Sequence, residues 1–246
     1  MTKPIAIQLW SVQEACREDF FGTLERIAEM GYDGVEFAGY YDRSAADLKA
    51  KLAELGLGIA GSHIPYEKLR DELDTVIAFE QELGNDYIVC PWADFETEAE
   101  WIEFAKSLRV IAEQVRARGL HFVYHNHAHE FKRLGNDYIL DVLLAGVHGL
   151  EVELDTYWVH HAGVDVVPYM ERWADRMPLV HLKDMKRDPV VESTEIGNGV
   201  LAVKRFAELA EQNGVKWLII EQEAFDKDQL LSVEIGLKNL RKMVGK

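Results

Sequence analysis

Side chains able to bind a cation or move a proton recur in this sequence where apolar segments end. The densest group is His121–Glu130, in which His125, His127 and His129 alternate with other residues. An extended chain presents alternate side chains on one face, so the sequence predicts that His125 and His127 share a pocket. A His-x-His pair by itself is as typical of structural histidines as of metal ligands. The pair therefore indicates a metal site only in combination with the side chains at the other segment ends.

Three later segments end in the same kinds of side chain. Glu153 and Asp155 lie two positions apart and project to one side of a strand, and His181 and Glu221 close the next two segments. Converging carboxylates repel each other unless a cation lies between them. Ligands drawn mostly from carboxylates, with one or two histidines, suit Mn²⁺, Co²⁺ or Mg²⁺ better than a closed structural zinc site. The pattern indicates a divalent-metal centre.

Eight apolar segments would have to position these side chains. Each is a continuous apolar run, which is typical of parallel strands buried on both faces. The predicted strands are Ile5–Trp10, Gly34–Phe37, Gly58–His63, Tyr87–Trp92, His121–His127, Leu150–Asp155, Leu179–Lys183 and Trp217–Glu221. Amphipathic patterns between them predict helices. These are Phe20–Met30, Ser44–Leu55, Leu69–Leu83, Glu98–Arg118, Asp137–Leu144, Val166–Arg176, Val200–Asn213 and Gln229–Val244.

The alternation of strand and helix predicts an α/β fold. Eight units with none left over favour a single (β/α)8 TIM barrel over a doubly wound sheet. No linker or low-complexity segment divides the chain, so one domain is expected over residues 1–246. In such a barrel the active site lies at the carboxyl ends of the strands, which is where the polar side chains above are found.

Composition narrows the expected partners. The chain has 246 residues, with 27 basic and 43 acidic side chains and a formal net charge of −16. Nucleic acids and anionic membranes require a basic surface, so neither is expected as a partner. No apolar run reaches the roughly 18–20 residues of a membrane span, no secretory signal is visible, and Cys16 and Cys90 do not make a disulfide framework. A cytoplasmic protein with a small-molecule substrate is expected.

The run Tyr124-His125-Asn126-His127 with Glu130-Phe131 resembles the xylose isomerase-like TIM-barrel superfamily, in its branch of sugar phosphate isomerases/epimerases. Four further runs continue the resemblance in order along the chain. They are Glu153–Trp158, His181–Asp184, Glu195–Gly199 and Glu221–Glu223. The resemblance covers essentially the whole chain. It implies a carbohydrate substrate and a homo-oligomer of the kind that members of this superfamily often form, and it says little about which substrate.

The resemblance also implies one divalent metal ion, with Mn²⁺ favoured over Co²⁺, Mg²⁺ or Zn²⁺. Its ligands would be Glu130, Asp155, His181 and Glu221. Many members of the superfamily place the first ligand directly at the strand end, where this chain has His125, so His125 is the alternative to Glu130. Members that epimerise ketoses tend to carry a histidine three residues after the strand-six aspartate. Trp158 stands there in this chain, which is compatible with lyase or dehydratase chemistry on a keto-sugar.

The hypothesis for the chemistry is removal of the proton next to a carbonyl, through an enediolate, in an enzyme that uses a divalent metal. Glu221 is the expected general base, with Glu130 or His127 as the partner acid. A sugar, keto-sugar or keto-inositol isomerase or epimerase is the leading prediction, and a dehydratase with the same metal centre is the alternative. The expected substrate contacts are His63, His125, Lys183, Trp10, Trp92 and Trp158.

Three rival interpretations follow from the same residues. The segment Gly197–Ala202 fits a relaxed dinucleotide-binding fingerprint, but it follows a poor strand, and a rim element or a phosphate contact suits a barrel better. A nuclease of the same fold would need additional zinc ligands and a basic surface, which the net charge disfavours. A non-catalytic sugar-binding barrel would keep the fold without holding a metal.

Overall fold

The computed structural model describes residues 3–245 as a closed barrel of eight parallel strands surrounded by helices. The strands are β1 (Ile5–Gln8), β2 (Gly34–Phe37), β3 (Gly58–His63), β4 (Tyr87–Cys90), β5 (His121–His125), β6 (Leu150–Asp155), β7 (Leu179–Leu182) and β8 (Trp217–Ile220). Each strand pairs with its neighbours in sequence, and β8 closes the ring against β1. The predicted α/β class and single (β/α)8 barrel are confirmed. Residues 1, 2 and 246 of the domain expected over 1–246 lie outside the described residues.

Helices fill the connections and pack their apolar faces on the outside of the barrel. They are α1 (Gln13–Glu18), α2 (Phe20–Met30), α3 (Ala45–Leu55), α4 (Tyr66–Asp71), α5 (Leu73–Leu83), α6 (Glu98–Ala117), α7 (Ile139–Gly146), α8 (Thr156–His161), α9 (Val166–Arg172), α10 (Val203–Gln212) and α11 (Gln229–Val244). α6 begins with a capping box, because Thr97 Oγ1 accepts the N–H of Glu100 and the Glu100 carboxylate accepts the N–H of Thr97. Among residues 3–245, no helix combines the length and the apolar composition needed to cross a membrane.

The interior of the barrel is divided into an apolar plug and a polar mouth. The plug consists of Ala6, Ala60, Tyr87, Val89, Val123, Leu179 and Ile219. Side chains alternate along a strand, so the residue two positions after a plug residue also points into the barrel, one layer closer to the mouth. Three such pairs are Val123 and His125, Leu179 and His181, and Ile219 and Glu221. The apolar plug thus supports the polar side chains from below.

Several predicted boundaries differ from the structure. Five strands end one or two residues earlier than predicted, because the chain leaves the sheet at the barrel mouth and turns into a loop or a short helix. The observed ends are Gln8, Cys90, His125, Leu182 and Ile220. The helix predicted over Leu69–Leu83 is broken at Glu72, whose backbone is not helical, so it forms α4 and α5.

Helix α8 was not predicted at all, and it matters for the site. It begins directly after β6, with no loop residue between them to signal a new element. Its first turn is capped by Asp155, whose Oδ1 accepts the N–H of Trp158 at 3.0 Å. One aspartate therefore ends the strand and starts the helix, while its other oxygen faces the barrel interior.

Candidate active site and metal centre

A buried carboxylate at the end of β6 lies among three imidazole rings. Glu153 Oε2 lies 2.8 Å from His63 Nε2, 3.1 Å from His125 Nδ1 and 3.2 Å from His181 Nε2. Glu36 Oε2, from β2, lies 2.7 Å from the same nitrogen of His181. We refer to these five side chains as the inner cluster. All except His63 are fully or almost fully buried.

The opposite nitrogens of two of these rings face a second set of carboxylates, closer to the mouth. Asp155 Oδ2 lies 4.0 Å from His125 Nε2 and 3.9 Å from His181 Nδ1. Glu221 Oε2 lies 2.9 Å from His181 Nδ1. We refer to His125, Asp155, His181 and Glu221 as the outer cluster. His125 and His181 therefore connect the two clusters, with one ring nitrogen turned toward each.

Lys183 is completely buried beside the outer cluster. Its Nζ lies 3.0 Å from Asp155 Oδ2, 2.6 Å from Glu221 Oε2 and 2.6 Å from Glu223 Oε1. A buried lysine is stable only when paired with carboxylates, and here the three carboxylates raise its pKa well above the usual value against the opposing effect of burial. The ammonium group supplies one positive charge to a region that contains more carboxylates than it can neutralise.

The donor atoms of both clusters suit a divalent cation. In each of two sets, one atom from each of four residues lies within 4.8 Å of the others. The sets are His63, His125, Glu153 and His181, and His125, Asp155, His181 and Glu221. Oxygen and nitrogen ligands lie about 2.0–2.2 Å from a zinc-sized ion, so ligands on opposite sides of it are about 4–4.5 Å apart. Both sets are compact enough to surround one ion.

Unsatisfied oxygens add a second reason to expect a cation. Glu36 Oε1, Glu153 Oε1 and Asp155 Oδ2 are buried and accept no hydrogen bond among the described residues. Lys183 Nζ approaches Asp155 Oδ2 closely without the geometry of a hydrogen bond. Buried polar atoms without partners are rare and costly, so carboxylate oxygens left in this state are suited to bind a cation.

The two connecting histidines have different protonation preferences. Burial and the neighbouring His181 together lower the pKa of His125 to about 4, so its ring is neutral at physiological pH. Burial also opposes charge on His181, but Glu153 and Glu36 outweigh it and raise the pKa of His181 well above its usual value. Burial and the charge of Glu153 raise the pKa of Glu36 to about 7. His125 is therefore neutral, whereas His181 is protonated between the carboxylates that stabilise its charge.

Glu130, which the family resemblance implies as the first metal ligand with His125 as the alternative, lies elsewhere. Its carboxylate is fully buried beneath the loop after β5, where it accepts the hydroxyl of Tyr124 and the main-chain N–H of His127, each at 2.8 Å. The ring of His129 lies 3.1 Å from the same carboxylate. Among the described residues, His125 and not Glu130 stands with Asp155, His181 and Glu221. Glu130 instead holds the loop that carries His127.

A cavity of about 1020 Å³ opens above the clusters. Its floor is formed by His63, His125 and Glu221. The expected substrate contacts Trp10, Trp92 and Trp158 line it, as do His127 and Glu223. Lys183 is fully buried and is not among the residues that line the cavity, so it acts on the floor through Glu221 and Glu223.

The glycine-rich loop after β7 is occupied by the protein's own carboxylate. Asp184 Oδ2 accepts the N–H groups of Gly197 and Gly199, at 2.9 and 3.1 Å, and Oδ1 accepts those of Leu201 and Met185, at 3.0 and 2.8 Å. A Cβ at Gly199 would lie 2.2 Å from Asp184 Oδ1, so only glycine fits there. Because Asp184 uses these amides, the loop shapes the rim and does not present them to a phosphate.

A family model described as a xylose isomerase-like TIM barrel matches residues 24–243 of the chain. The chain belongs to the xylose isomerase-like TIM-barrel family. An inosose dehydratase of Geobacillus kaustophilus is 26% identical over 242 residues, covering 81% of this chain and 79% of that protein. An inosose dehydratase of Clostridium beijerinckii is 23% identical over 247 residues, covering 83% of this chain and 82% of its own.

Solved structures show the same fold. A sugar phosphate isomerase/epimerase from Parabacteroides distasonis superimposes with a TM-score of 0.86 at 23% identity, covering 99% of this chain and 96% of its own. An L-ribulose 3-epimerase superimposes with a TM-score of 0.75 at 15% identity, covering 100% of this chain and 96% of its own. At these identities the likeness establishes the barrel and leaves the substrate open.

Within this family barrel, sequence reasoning missed part of the site. Glu36 has no assigned role in the sequence-based prediction, and Glu153 enters it only as a neighbour of Asp155. A signal was present for Glu36, because a carboxylate inside the short, fully buried strand Gly34–Phe37 requires a buried partner. Glu223 gave no such signal, since a polar residue just after a strand is common in any loop.

Proposed function

We propose that this barrel removes the proton next to a carbonyl of a sugar, keto-sugar or keto-inositol, in a reaction that depends on a divalent metal. The leading form is an isomerase or epimerase. The observation that supports it most directly is the convergence of His125, Asp155, His181 and Glu221 within 4.8 Å at the floor of a cavity. Four buried ionisable groups in that arrangement are typical of a functional site and are not expected in a barrel without catalytic function.

The outer cluster is the proposed metal site, and Mn²⁺ is the preferred ion. It contains three of the four ligands that the family resemblance implies, with His125 in the place of Glu130, and it includes Asp155 Oδ2, which accepts no hydrogen bond. A bound divalent cation would supply Lewis acidity toward a carbonyl and an adjacent hydroxyl. The inner carboxylates, Glu153 and Glu36, would orient His125 and His181 by accepting their other ring N–H groups.

Two carboxylates on the cavity side of Lys183 are suited to move protons. Lys183 and His181 outweigh the effect of burial and hold the pKa of Glu221 well below its usual value, so its carboxylate is ionised and can accept a proton. Burial raises the pKa of Glu223, two residues later. Opposite shifts in neighbouring carboxylates are typical of a base and an acid that work together. Glu221 is the proposed base and Glu223 an additional candidate acid.

His127 remains the proposed proton donor on another side of the cavity. Burial and the nearby His125 lower its pKa, so its ring is neutral, and its Nδ1 has no hydrogen-bond partner among residues 3–245. The ring lies against Trp92 and Trp158, with centroids 4.6 and 5.5 Å away. Glu130 positions it by accepting its main-chain N–H.

Dehydration is the second candidate. Relatives named inosose dehydratase match 81–83% of this chain, and Trp158 occupies the position where ketose epimerases of the family tend to carry a histidine. Expulsion of a β-hydroxyl needs the same proton removal by Glu221, followed by proton delivery to the leaving oxygen. Epimerisation and dehydration therefore share their first step.

Incubation with a panel of ketoses, keto-inositols and 3-keto-glycosides in D₂O with Mn²⁺ tests that first step. We expect deuterium at the carbon next to the carbonyl of at least one substrate, and epimer, isomer or dehydrated product identifies the subsequent step. The variant Glu221→Gln should abolish exchange, whereas Glu208→Gln, on the outer helix α10, should leave it unchanged. If every substrate keeps its carbon-bound protons and Mn²⁺ does not raise the melting temperature, the proposal is wrong and a non-catalytic barrel is favoured.

A further inference from the structure

The cavity is larger than its reactive floor requires. Pockets that enclose drug-sized molecules have volumes of about 300–1,000 Å³. The cavity above the clusters has a volume of about 1020 Å³, at the upper end of that range, and only His63, His125, Glu221 and neighbouring polar groups form its reactive part. A six-carbon keto-sugar or keto-inositol would leave much of this space unfilled.

The remaining space is bounded on one side by apolar and aromatic side chains. These come from the connections after β2 and β3 and from α5, and we call them the apolar wall: Tyr40, Ile64, Pro65, Val76 and Phe79. The rings of Tyr40 and Phe79 are in contact, with centroids 4.4 Å apart. Tyr40 also donates a hydrogen bond to the buried Glu80, so its ring is held in place.

Two indole rings add apolar surface at the rim of the cavity. Trp10 and Trp92 both line the cavity, and they are 49% and 50% exposed. Rings with open faces beside a sugar-sized polar site are suited to stack on a flat apolar group. The wall and the rim together outline a place for a substituent that the polar floor does not bind.

The charges around the cavity argue against an anionic substrate. Apart from histidines, the charged residues that line it are Glu72, Glu80, Glu221, Glu223 and Lys68, so the lining has a formal charge of −3, or −1 with a divalent ion bound in the outer cluster. The backbone amides of the glycine-rich loop, which could have held a phosphate, are used by Asp184. A phosphate group would therefore face a lining of net negative charge, and it would not find the amides of the glycine-rich loop available.

We infer that the substrate is an uncharged keto-sugar bearing a flat apolar substituent, such as an aryl glycoside, with the sugar on the polar floor and the substituent against the apolar wall. This inference rests on the proposed function for the position of the sugar. In a glycoside the anomeric carbon is closed as an acetal, so the carbonyl must lie at another ring carbon. A 3-keto-glycoside meets this requirement.

A matched ligand series separates the parts of this inference. The Mn²⁺-loaded full chain is titrated calorimetrically with phenyl and methyl 3-keto-β-D-glucoside, which differ only in the substituent, and with glucose 6-phosphate. We expect the phenyl compound to bind about tenfold more tightly than the methyl compound, since aromatic contacts and buried apolar area favour it. Glucose 6-phosphate should bind more weakly than both.

Phe79→Leu tests the apolar wall directly. It removes a ring while keeping an apolar side chain, and it should reduce the preference for the phenyl compound to about threefold or less. Phe21→Leu, a half-buried phenylalanine of α2 that does not line the cavity, should keep the full preference. If thermal unfolding shows that Phe79→Leu does not fold, Trp92→Leu at the half-exposed rim replaces it, with the same expected loss.

Any one of four results would overturn this inference. They are equal affinities for the two glycosides, an unchanged preference for the phenyl compound in the wall variant, no binding of either glycoside, and tighter binding of glucose 6-phosphate than of the glycosides. Deuterium exchange measured on the same compounds distinguishes a failure of this inference from a failure of the proposed function. Exchange without a phenyl preference leaves the proton-removal chemistry standing and removes the apolar wall as a binding site. A phenyl preference without exchange supports the apolar wall as a binding site and contradicts the proton-removal chemistry on these compounds.

Discussion

Buried carboxylates occur in two neighbouring regions of this barrel, and their surroundings differ. In the loop region after β7, Asp184 accepts four main-chain N–H groups, and Glu195 accepts from Lys227, Ser232, Thr194 and Asn198. At the barrel mouth, Glu153 and Asp155 each keep one buried oxygen without a hydrogen bond. The first region has a donor for every carboxylate oxygen, and the second does not.

We interpret this difference as one between carboxylates that stabilise the fold and carboxylates that are placed to bind a cation. A buried carboxylate surrounded by donors fixes the backbone that supplies them, and its loss lowers stability. A buried carboxylate that faces other carboxylates through an oxygen without a hydrogen bond lowers stability unless a cation binds there. We therefore expect substitutions in the loop region to affect folding, and substitutions at the mouth to affect metal binding.

The largest expected effect is that of Asp155→Asn on metal affinity. Asparagine caps a helix as well as aspartate does, so α8 should persist, while the oxygen that faces His125 and His181 becomes an amide nitrogen or loses its charge. Calorimetric titration with Mn²⁺ should show an affinity lower by at least about 100-fold, and deuterium exchange should disappear.

The chain provides a matched control for this substitution. Asp228 caps α11 in the same way, accepting the N–H of Leu231 at 3.0 Å, and it lies on the surface away from both clusters. Asp228→Asn should keep wild-type metal affinity. An Asp155→Asn protein that binds Mn²⁺ as tightly as this control would show that the outer cluster is not the metal site.

Asp184→Asn should have the next largest effect, on stability and not on metal affinity. An amide group in place of the carboxylate turns one N–H₂ toward two main-chain N–H groups, so two charge-assisted hydrogen bonds are lost. Denaturant unfolding should show a loss of about 3 kcal/mol. A loss below about 1 kcal/mol, or a large fall in Mn²⁺ affinity, would contradict the division between the two regions.

The fold could be predicted from the sequence because its signals are local and repeated. Eight apolar runs separated by amphipathic helices leave few alternatives to a closed barrel. The exceptions are informative: Leu69–Leu83 reads as one amphipathic stripe, but its backbone breaks at Glu72, and α8 follows β6 without a loop to mark it. Such breaks depend on tertiary packing and on a single capping side chain. The hydrophobic periodicity of the sequence does not indicate either of them.

The site could be predicted only in part because its geometry is not local. The proximity of Asp155, His181 and Glu221 could be predicted because each lies at or next to the end of a strand, and parallel strands bring their ends together. Glu130 and His125 lie close in sequence, and only the turn after β5 determines which of them faces the interior. The role of Glu36 depends on contacts across the barrel with residues of β6 and β7, which no spacing along the chain reveals.

Glu153→Gln should have a smaller effect on metal affinity than Asp155→Asn, because in the proposed metal site Glu153 would orient His125 and His181 from the side away from the ion. Its Oε2 contacts the Nδ1 of His125 and the Nε2 of His181, leaving their opposite nitrogens for the ion. Loss of such an orienting carboxylate weakens metal binding by about 10–100-fold. Titration with Mn²⁺ should show this reduction, and Glu195→Gln, a buried carboxylate of the loop region, should show none.

A complete loss of Mn²⁺ binding in Glu153→Gln, with binding retained in Asp155→Asn, would reverse the assignment of the two clusters. The inner set, which contains His63, would then be the metal site. The proton of His181 would be expected on the nitrogen that faces Glu221. The pair of substitutions thus distinguishes the two arrangements without relying on activity.

The smallest expected effect is that of Glu195→Gln on stability, and it depends on pH. Burial opposes ionisation of Glu195, but the hydrogen bonds from Lys227, Asn198 and Thr194 outweigh it and lower its pKa from 4.5 to about 2. A carboxyl whose pKa is lower in the folded state contributes stability that is fully present above pH 4.5 and is lost as the pH falls toward 2. Urea unfolding should therefore show that the variant is about 1–2 kcal/mol less stable than wild type at pH 7. The difference in the free energy of unfolding should shrink between pH 4.5 and 2, because wild-type Glu195 loses its charge there and glutamine has no proton to bind. A difference that stays constant over that interval would mean that Glu195 stabilises the loop by packing and not by its charge.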